Sequence, residues 1–260
     1  MTNQTKLYPF LFTILYLLLP ACSSESSPSA TAKPTVTPNS NVFYERGLDY
    51  LDQGDYQRAI EEFTQAIQLD PNNADLYANR GLAHHWLDEP GEANADYSRA
   101  IELDPDYYLT YYNRGVSFDD RGDHERAVAD YRRAVERNPQ DASSQNNLAW
   151  GLAYFLDKDY EEALEHALQS VEISSYDFNQ DTLALVYLKL ERYEEAIAHY
   201  DEALALNDQM DVSYRGRGEA HAALGHTQEA IDDFETYLRM VPDADDRQEI
   251  EAKLDALRKN

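Results

Sequence analysis

Six residues in the stretch 108–141 reappear at a constant spacing of 34 residues on either side of it. Gly115 is preceded by Gly81 and Gly47, Ala127 by Ala93 and Ala59, and Pro139 by Pro105 and Pro71. A fixed period of this length means that each unit is one supersecondary element, too small to bury its apolar face alone, so that stability comes from stacking neighbours. Within one unit the apolar and small residues fall at helical spacing, with a glycine near the middle and a proline near the end. The pattern predicts an all-α chain of two short antiparallel helices per unit.

Tyr111, Gly115, Phe118, Ala127, Tyr131, Ala134 and Pro139 resemble the tetratricopeptide repeat (TPR), with its aromatic, small, aromatic, Ala, aromatic, Ala and Pro positions. The resemblance implies a helix-turn-helix solenoid, coiled as a right-handed superhelix, with six repeats at 40–73, 74–107, 108–141, 142–176, 177–210 and 211–244. Repeat four is irregular: Tyr160 and Ala163 arrive two residues late, which predicts a longer turn around Leu156-Asp157-Lys158-Asp159. Repeat five has Asp208 where the proline belongs. In segment 245–260, Ile250, Leu254 and Leu257 share one helical face, the signature of a helix that caps the last repeat.

The first residues are different in kind. Lys6 is the only charge ahead of an apolar run from Leu7 to Leu19 interrupted by Pro9 and Thr13. A bilayer span needs about 20 apolar residues, so the run reads as a signal peptide over 1–21. Leu19-Pro20-Ala21-Cys22 resembles a bacterial lipobox, which implies cleavage before Cys22 and a lipid on its sulfur. Pro20 departs from the usual motif, and a plain secretory signal remains the alternative. Cys22 is the only cysteine, so no intramolecular disulfide is possible. Residues 22–39 are rich in Ser, Thr and Pro, a composition that cannot bury a core and reads as a disordered tether of roughly 25 Å typical span. The expected location is therefore that of an exported, membrane-anchored lipoprotein. Ser23 is not the acidic residue that retains many lipoproteins in the inner membrane, which favours an outer membrane facing the periplasm in a diderm source. In any other source the outer face of the plasma membrane is expected.

With 49 acidic against 22 basic residues the formal net charge is −27, which repels phosphate backbones and argues against nucleic acid as a partner. Seven histidines are scattered without metal-ligand spacing, and Gly216-Arg217-Gly218 lacks the third glycine and preceding strand of a phosphate loop. No pattern here supports an enzyme, a cofactor, a metal site or a small-molecule substrate.

In the TPR family the first helix of each repeat lines a concave groove through its second, fifth, sixth, ninth, twelfth and thirteenth positions. Carried onto this chain, those positions hold Tyr44, Trp86, Tyr112, Trp150 and Tyr154. They also hold the acids Asp75, Asp119, Asp120, Asp181 and Glu219, with Lys189 and Arg215 as the few cations. The Lys and Arg clamp by which chaperone-binding members grip a terminal carboxylate is replaced by Tyr44, Asn79, Leu109 and Asn113. Asn79, Asn113 and Asn147 occupy the sixth position of three successive repeats, and some family members use asparagine there to bond the main chain of an extended peptide. Together these residues predict a lipid-anchored adaptor or scaffold of the cell envelope that binds an extended, neutral-to-basic segment of a partner protein. A self-associating scaffold without a peptide ligand is the alternative.

Comparing the repeats with one another gives a contact prediction. Arg46, Arg80, Arg114 and Arg217 at the seventh position accompany Glu62, Asp96, Asp130 and Asp233 at the twenty-third. Leu148 and Leu183 accompany His166 and His199. Residue types that switch together are expected to meet across the helix pair.

Overall fold

The computed structural model describes residues 39–259, and the predicted signal segment, Cys22 and all but the last residue of the tether lie outside them. The described residues form thirteen helices and no strand. Six antiparallel pairs follow one another: α1 (Ser40–Asp52) with α2 (Tyr56–Leu69), α3 (Ala74–Trp86) with α4 (Pro90–Leu103), and α5 (Tyr108–Asp119) with α6 (His124–Arg137). Then come α7 (Ala142–Trp150) with α8 (Tyr160–Ile173), α9 (Asp177–Lys189) with α10 (Tyr193–Leu206), and α11 (Asp211–Leu224) with α12 (Thr227–Met240). The predicted cap is present as α13 (Arg247–Leu257). First helices of successive repeats adjoin, α1 with α3, α3 with α5, α7 with α9 and α9 with α11, so they share one side of the array.

Short polar residues start the helices. Asn39, Asp55, Asn73, Asp123 and Asp141 each accept a backbone N–H from the first turn that follows, supplying a partner that the helix itself cannot. Outside repeat four, the turn inside each repeat needs one left-handed residue. Gly54, Gly122 and Gly225 take it at φ near +75° (73°, 73° and 77°), whereas repeats two and five use Asp88 and Glu191 at 58° and 59°.

The two helices of a repeat touch where the small residue of the first meets the ring of the second. A Cβ added to Gly115 would stand 2.7 Å from the Tyr131 ring, one on Gly47 2.5 Å from Phe63, and one on Gly218 2.9 Å from Phe234. Those rings are at most 1% exposed, and burying each contributes about 1.5–3 kcal/mol. Repeat five departs from this arrangement. Its small residue is Ala184, and the Tyr200 hydroxyl lies where a Cβ on Gly216 of repeat six would have to be.

Beside this contact runs the predicted ionic one. The guanidinium of Arg114 donates to both carboxylate oxygens of Asp130 at 2.7 and 2.8 Å, Arg80 to Asp96 at 2.7 and 2.7 Å, and Arg217 to Asp233 at 2.8 and 2.7 Å. Arg46 pairs with Glu62 in the same way through one bond. The arginine also reaches the preceding repeat, from Arg80 to Thr64 at 3.2 Å and from Arg114 to Ser98 at 2.9 Å. The clasps of Arg80 and Arg114 therefore tie three helices each, as does that of Arg217, which also bonds Asp201. In repeats four and five the histidine finds another partner: His166 donates from Nδ1 to Gln145 Oε1 at 2.6 Å, and His199 to Gln180 Oε1 at 2.7 Å. Gln145 and Gln180 stand at the fourth position, where the other repeats carry Phe43, Tyr77, Tyr111 and Tyr214. So three positions switch together, and the third partner is the residue that an aromatic consensus hides.

The two extra residues of repeat four are shared between helix and turn. After Trp150 the helix widens into a π-helical turn, Gly151–Phe155, whose Leu156 N–H bonds the Gly151 carbonyl at 3.0 Å. The connection to α8 then needs left-handed backbone at both Asp157 and Asp159 (φ 49° and 53°). At the other end, Ile250 and Leu254 of α13 are buried against Phe234 and Tyr237, covering the apolar face of α12.

Asp130 is 6% exposed, so Arg114→Ala strands a buried charge and should destabilise the fold by about 3–5 kcal/mol in urea unfolding. Installing the alternative set, Tyr111→Gln with Arg114→Leu and Asp130→His, should recover more than half of that loss. No recovery would mean that the three positions are not one module.

Candidate peptide-binding surface

The side formed by the first helices carries the residues read as a groove, and the structure sorts them by depth. Tyr44 is half-buried against Phe63, with ring centroids 6.1 Å apart. Burial, reinforced by the charge of Asp75, pushes its hydroxyl up to about 12, and the Asn79 side chain hydrogen-bonds it. Asn79 Nδ2 also donates to the Asp75 carbonyl of its own helix at 2.8 Å. Asn147 is half-buried and hydrogen-bonds the Tyr131 hydroxyl, which in turn donates to Asp119 at 2.8 Å. Asn113, the middle asparagine, is half-buried as well, but its amide makes no hydrogen bond among the described residues.

Tyr112 differs from its sequence reading as a wall of the groove. It is 6% exposed and packs against Tyr131, with ring centroids 6.0 Å apart, because the fifth position of α5 faces the second helix of its own repeat. Two of the cations assigned to the groove are also engaged. Arg215 bonds Asp246 ahead of α13 and approaches Glu219 at 3.6 Å, while Lys189 pairs with Asp157 at 2.6 Å. Lys253 of α13 bonds Glu219 at 3.1 Å. The cap thus closes the repeat-six end of this surface with ion pairs as well as apolar contacts.

The remaining predicted residues gather at the ends of the first helices. Trp86 stacks on Tyr56 of repeat one, centroids 6.0 Å apart at 13°. Trp150 stacks on Tyr154 at 4.3 Å and 14°, and both meet Phe155 edge-on at 6.1 and 5.1 Å. Asp119 accepts from His124 Nδ1 at 3.0 Å, and His124 lies flat on Phe155 at 3.6 Å. Burial raises the Asp119 carboxyl above its ordinary range, an effect that the bonds from His124 and Tyr131 oppose. Phe155 and His124 had no place in the sequence reading of the groove. The late arrival of Tyr160 was their signal: the insertion is partly a π turn, and that turn presents Tyr154 and Phe155.

Asp181, read as a groove acid, is instead 4% exposed in α9, where it accepts the Ser213 hydroxyl of α11. Burial pushes its carboxyl up to about 7, assisted by Asp211 and Asp177. No arginine or lysine among the described residues offsets that cost.

Protein-family models match four stretches of the chain: one described as TPR repeat at residues 47–87, and three described as tetratricopeptide repeat at 74–107, 108–141 and 183–255. The chain belongs to the tetratricopeptide repeat family. Among curated proteins it is 32% identical over 62 residues to small glutamine-rich tetratricopeptide repeat-containing protein beta of Rattus norvegicus, covering 24% of this chain and 20% of that protein. It is 35% identical over 94 residues to serine/threonine-protein phosphatase 5 of Rattus norvegicus, covering 36% and 19%. Each match therefore spans about a fifth of the relative's length. Among solved structures, Pseudomonas aeruginosa PilF superposes with a TM-score of 0.69 at 20% identity, over 82% of this chain and 97% of that one. PilW, a type IV pilus biogenesis factor, gives 0.65 at 17% over 81% and 97%. YrrB, a TPR protein with an unusual peptide-binding site, gives 0.63 at 17% over 76% and 98%. These likenesses show the same solenoid fold.

The Asp181 carboxyl stays protonated in the fold while its unfolded counterpart ionises near pH 3.9. The fold therefore loses stability on its account as pH rises from about 4 to 7, and the loss levels off above that. Asp181→Asn keeps an acceptor for Ser213 without the charge. Urea unfolding should show it equal to the parent chain near pH 4 and more stable at pH 8, by at most about 4 kcal/mol. An advantage that does not change with pH would contradict the assignment.

Proposed function

We propose that this chain is an adaptor that holds an extended, neutral-to-basic segment of a partner protein along the first helices of its repeats. The observation that carries this reading is Asn113. It is a half-buried amide at the sixth position of a central repeat, and it offers a donor and an acceptor that none of the described residues uses. Such a group bonds a peptide main chain whatever its side chains are. Asn79 and Asn147 border it, but their amides also serve the array through Tyr44 and Tyr131. The acidic surface supplies the preference for basic segments.

In this reading the adaptor is held at a membrane of the cell envelope by a lipid on Cys22, as the sequence pattern of residues 1–22 suggests. An envelope role agrees with the neighbour PilW, itself described as a type IV pilus biogenesis factor, and a peptide-holding role with YrrB. Fatty-acid labelling should mark the chain and vanish in Cys22→Ser, which should also leave the membrane fraction. Membrane association that survives Cys22→Ser would contradict lipid anchoring.

Losing one buried main-chain bond pair costs about 1–3 kcal/mol. Asn113→Ala should therefore reduce partner recovery from crosslinked host membranes about five- to a hundredfold, with unchanged helicity and thermal unfolding. Asn79→Ala and Asn147→Ala should also lower the melting temperature, since each removes a bond within the array. Unchanged recovery with Asn113→Ala would remove the main-chain reading of this surface.

A further inference from the structure

Outside repeat four, the turn inside each repeat closes with one backbone bond from the sixteenth position to the eleventh. Asp55 N–H donates to Tyr50 at 2.8 Å, Glu89 to His84 at 2.9 Å, Asp123 to Phe118 at 3.0 Å, Arg192 to Tyr187 at 2.9 Å and His226 to His221 at 2.9 Å. The bond sets the two side chains beside each other. In the first three repeats the sixteenth residue is an acid: Asp55 and Asp123 cap the helix that follows, and Glu89 pairs with His84. Repeat six alone carries histidine at both places. His226 begins α12 without a side-chain cap bond, and its ring faces His221, Nδ1 to Nδ1 at 3.2 Å with centroids 5.5 Å apart. A helix cap is thus exchanged for a contact between two ring nitrogens, a local departure of the kind that marks functional positions.

In the metal-free chain one of these nitrogens donates to the other through a single hydrogen. The same separation suits another occupant. Two imidazole nitrogens bound to one metal ion at about 2.0–2.1 Å stand about 2.9 Å apart at a right angle and about 3.4 Å apart at the tetrahedral angle. The observed 3.2 Å falls between these limits. Burial holds the His221 imidazole below its usual range, so its lone pair is available near neutral pH. The charges of Asp233 and Glu229 act on the same ring and favour a cation there, against the opposing charge of Arg217. His221 also lies in the last turn of α11, where the helix carbonyls favour positive charge. His226 is exposed and His221 half-buried, so the pair is open to solvent. Each of the other five histidines has a carboxylate or amide oxygen as its partner.

We propose that His221 and His226 chelate one divalent transition-metal ion of the nickel, copper and zinc group, each through Nδ1. No group of three or more His, Cys, Asp or Glu among the described residues could hold a metal, so water completes the coordination. Such a site is labile, filling with metal concentration, and is not a structural centre. Five residues is not a ligand spacing within one helix, and only the turn brings the two rings together.

The untagged full chain is titrated with zinc chloride and followed by the ring-nitrogen resonances of its histidines. The Nδ1 signals of His221 and His226 should shift together and saturate at one zinc per chain, and the melting temperature should rise with zinc and fall back with a chelator. His226→Ser removes a ligand and supplies a capping hydroxyl. It should weaken zinc binding by at least about tenfold and lose the zinc-dependent rise, while the metal-free chain melts no lower than the parent. His221→Tyr, which installs the residue of repeats one and five, should weaken zinc binding equally. Zinc binding that survives both substitutions, coordination through Nε2, or rings that do not respond to zinc would overturn the site. A lower metal-free melting temperature in His226→Ser, with zinc binding intact in His221→Tyr, would overturn it too and leave the pair as a structural hydrogen bond.

Discussion

The approach of a glycine to the face of an aromatic ring sets the spacing of the two helices within most repeats, and the other contacts are placed by it. With Gly115 pressed on Tyr131, the seventh position beside it comes within reach of the twenty-third, where Arg114 and Asp130 make a two-bond contact. The same closeness brings the arginine to Ser98 of the previous repeat. Short-range packing thus fixes the geometry within a pair, and a planar, two-pronged cation carries register from one pair to the next. Where the cation is absent, a histidine and a glutamine supply a neutral bond between the same two helices.

What repeats regularly builds the solenoid, and what breaks the repetition makes its surface specific. Gly216 replaces the asparagine of the sixth position in repeat six and gives its space to the Tyr200 hydroxyl. The insertion in repeat four becomes a π turn that turns Tyr154 and Phe155 outward. Between these irregularities Asn113 keeps an uncommitted amide, and the capping helix ties up Arg215 and Glu219 at the far end. The surface is therefore most open around repeats two to four.

The helix pairs, the cap and the Arg–acid contacts were legible in the sequence because each depends only on spacing along the chain and on which residue types change together. Depth was not legible. A position number gives the direction in which a side chain leaves its helix, but burial depends on what the neighbouring helices place over it. Tyr112 and Asp181 share the fifth position, and both are covered, by Tyr131 and by Ser213. Asn147 shares its position with Asn113, yet the Tyr131 hydroxyl reaches only the former. The Gln145 and Gln180 partners were hidden for another reason: an aromatic consensus at the fourth position draws attention away from the repeats that lack it.

The central claim is that a partner segment lies along the first helices, over repeats two to four. A photo-crosslinking residue placed at Asn113 in one strain and at Arg133, on the second helix of the same repeat, in another puts this to a direct test in membranes of the native host. Ultraviolet irradiation should give a discrete partner adduct from position 113 and none from position 133. Adducts from position 133 alone would place the interaction on the opposite side of the array and contradict the account.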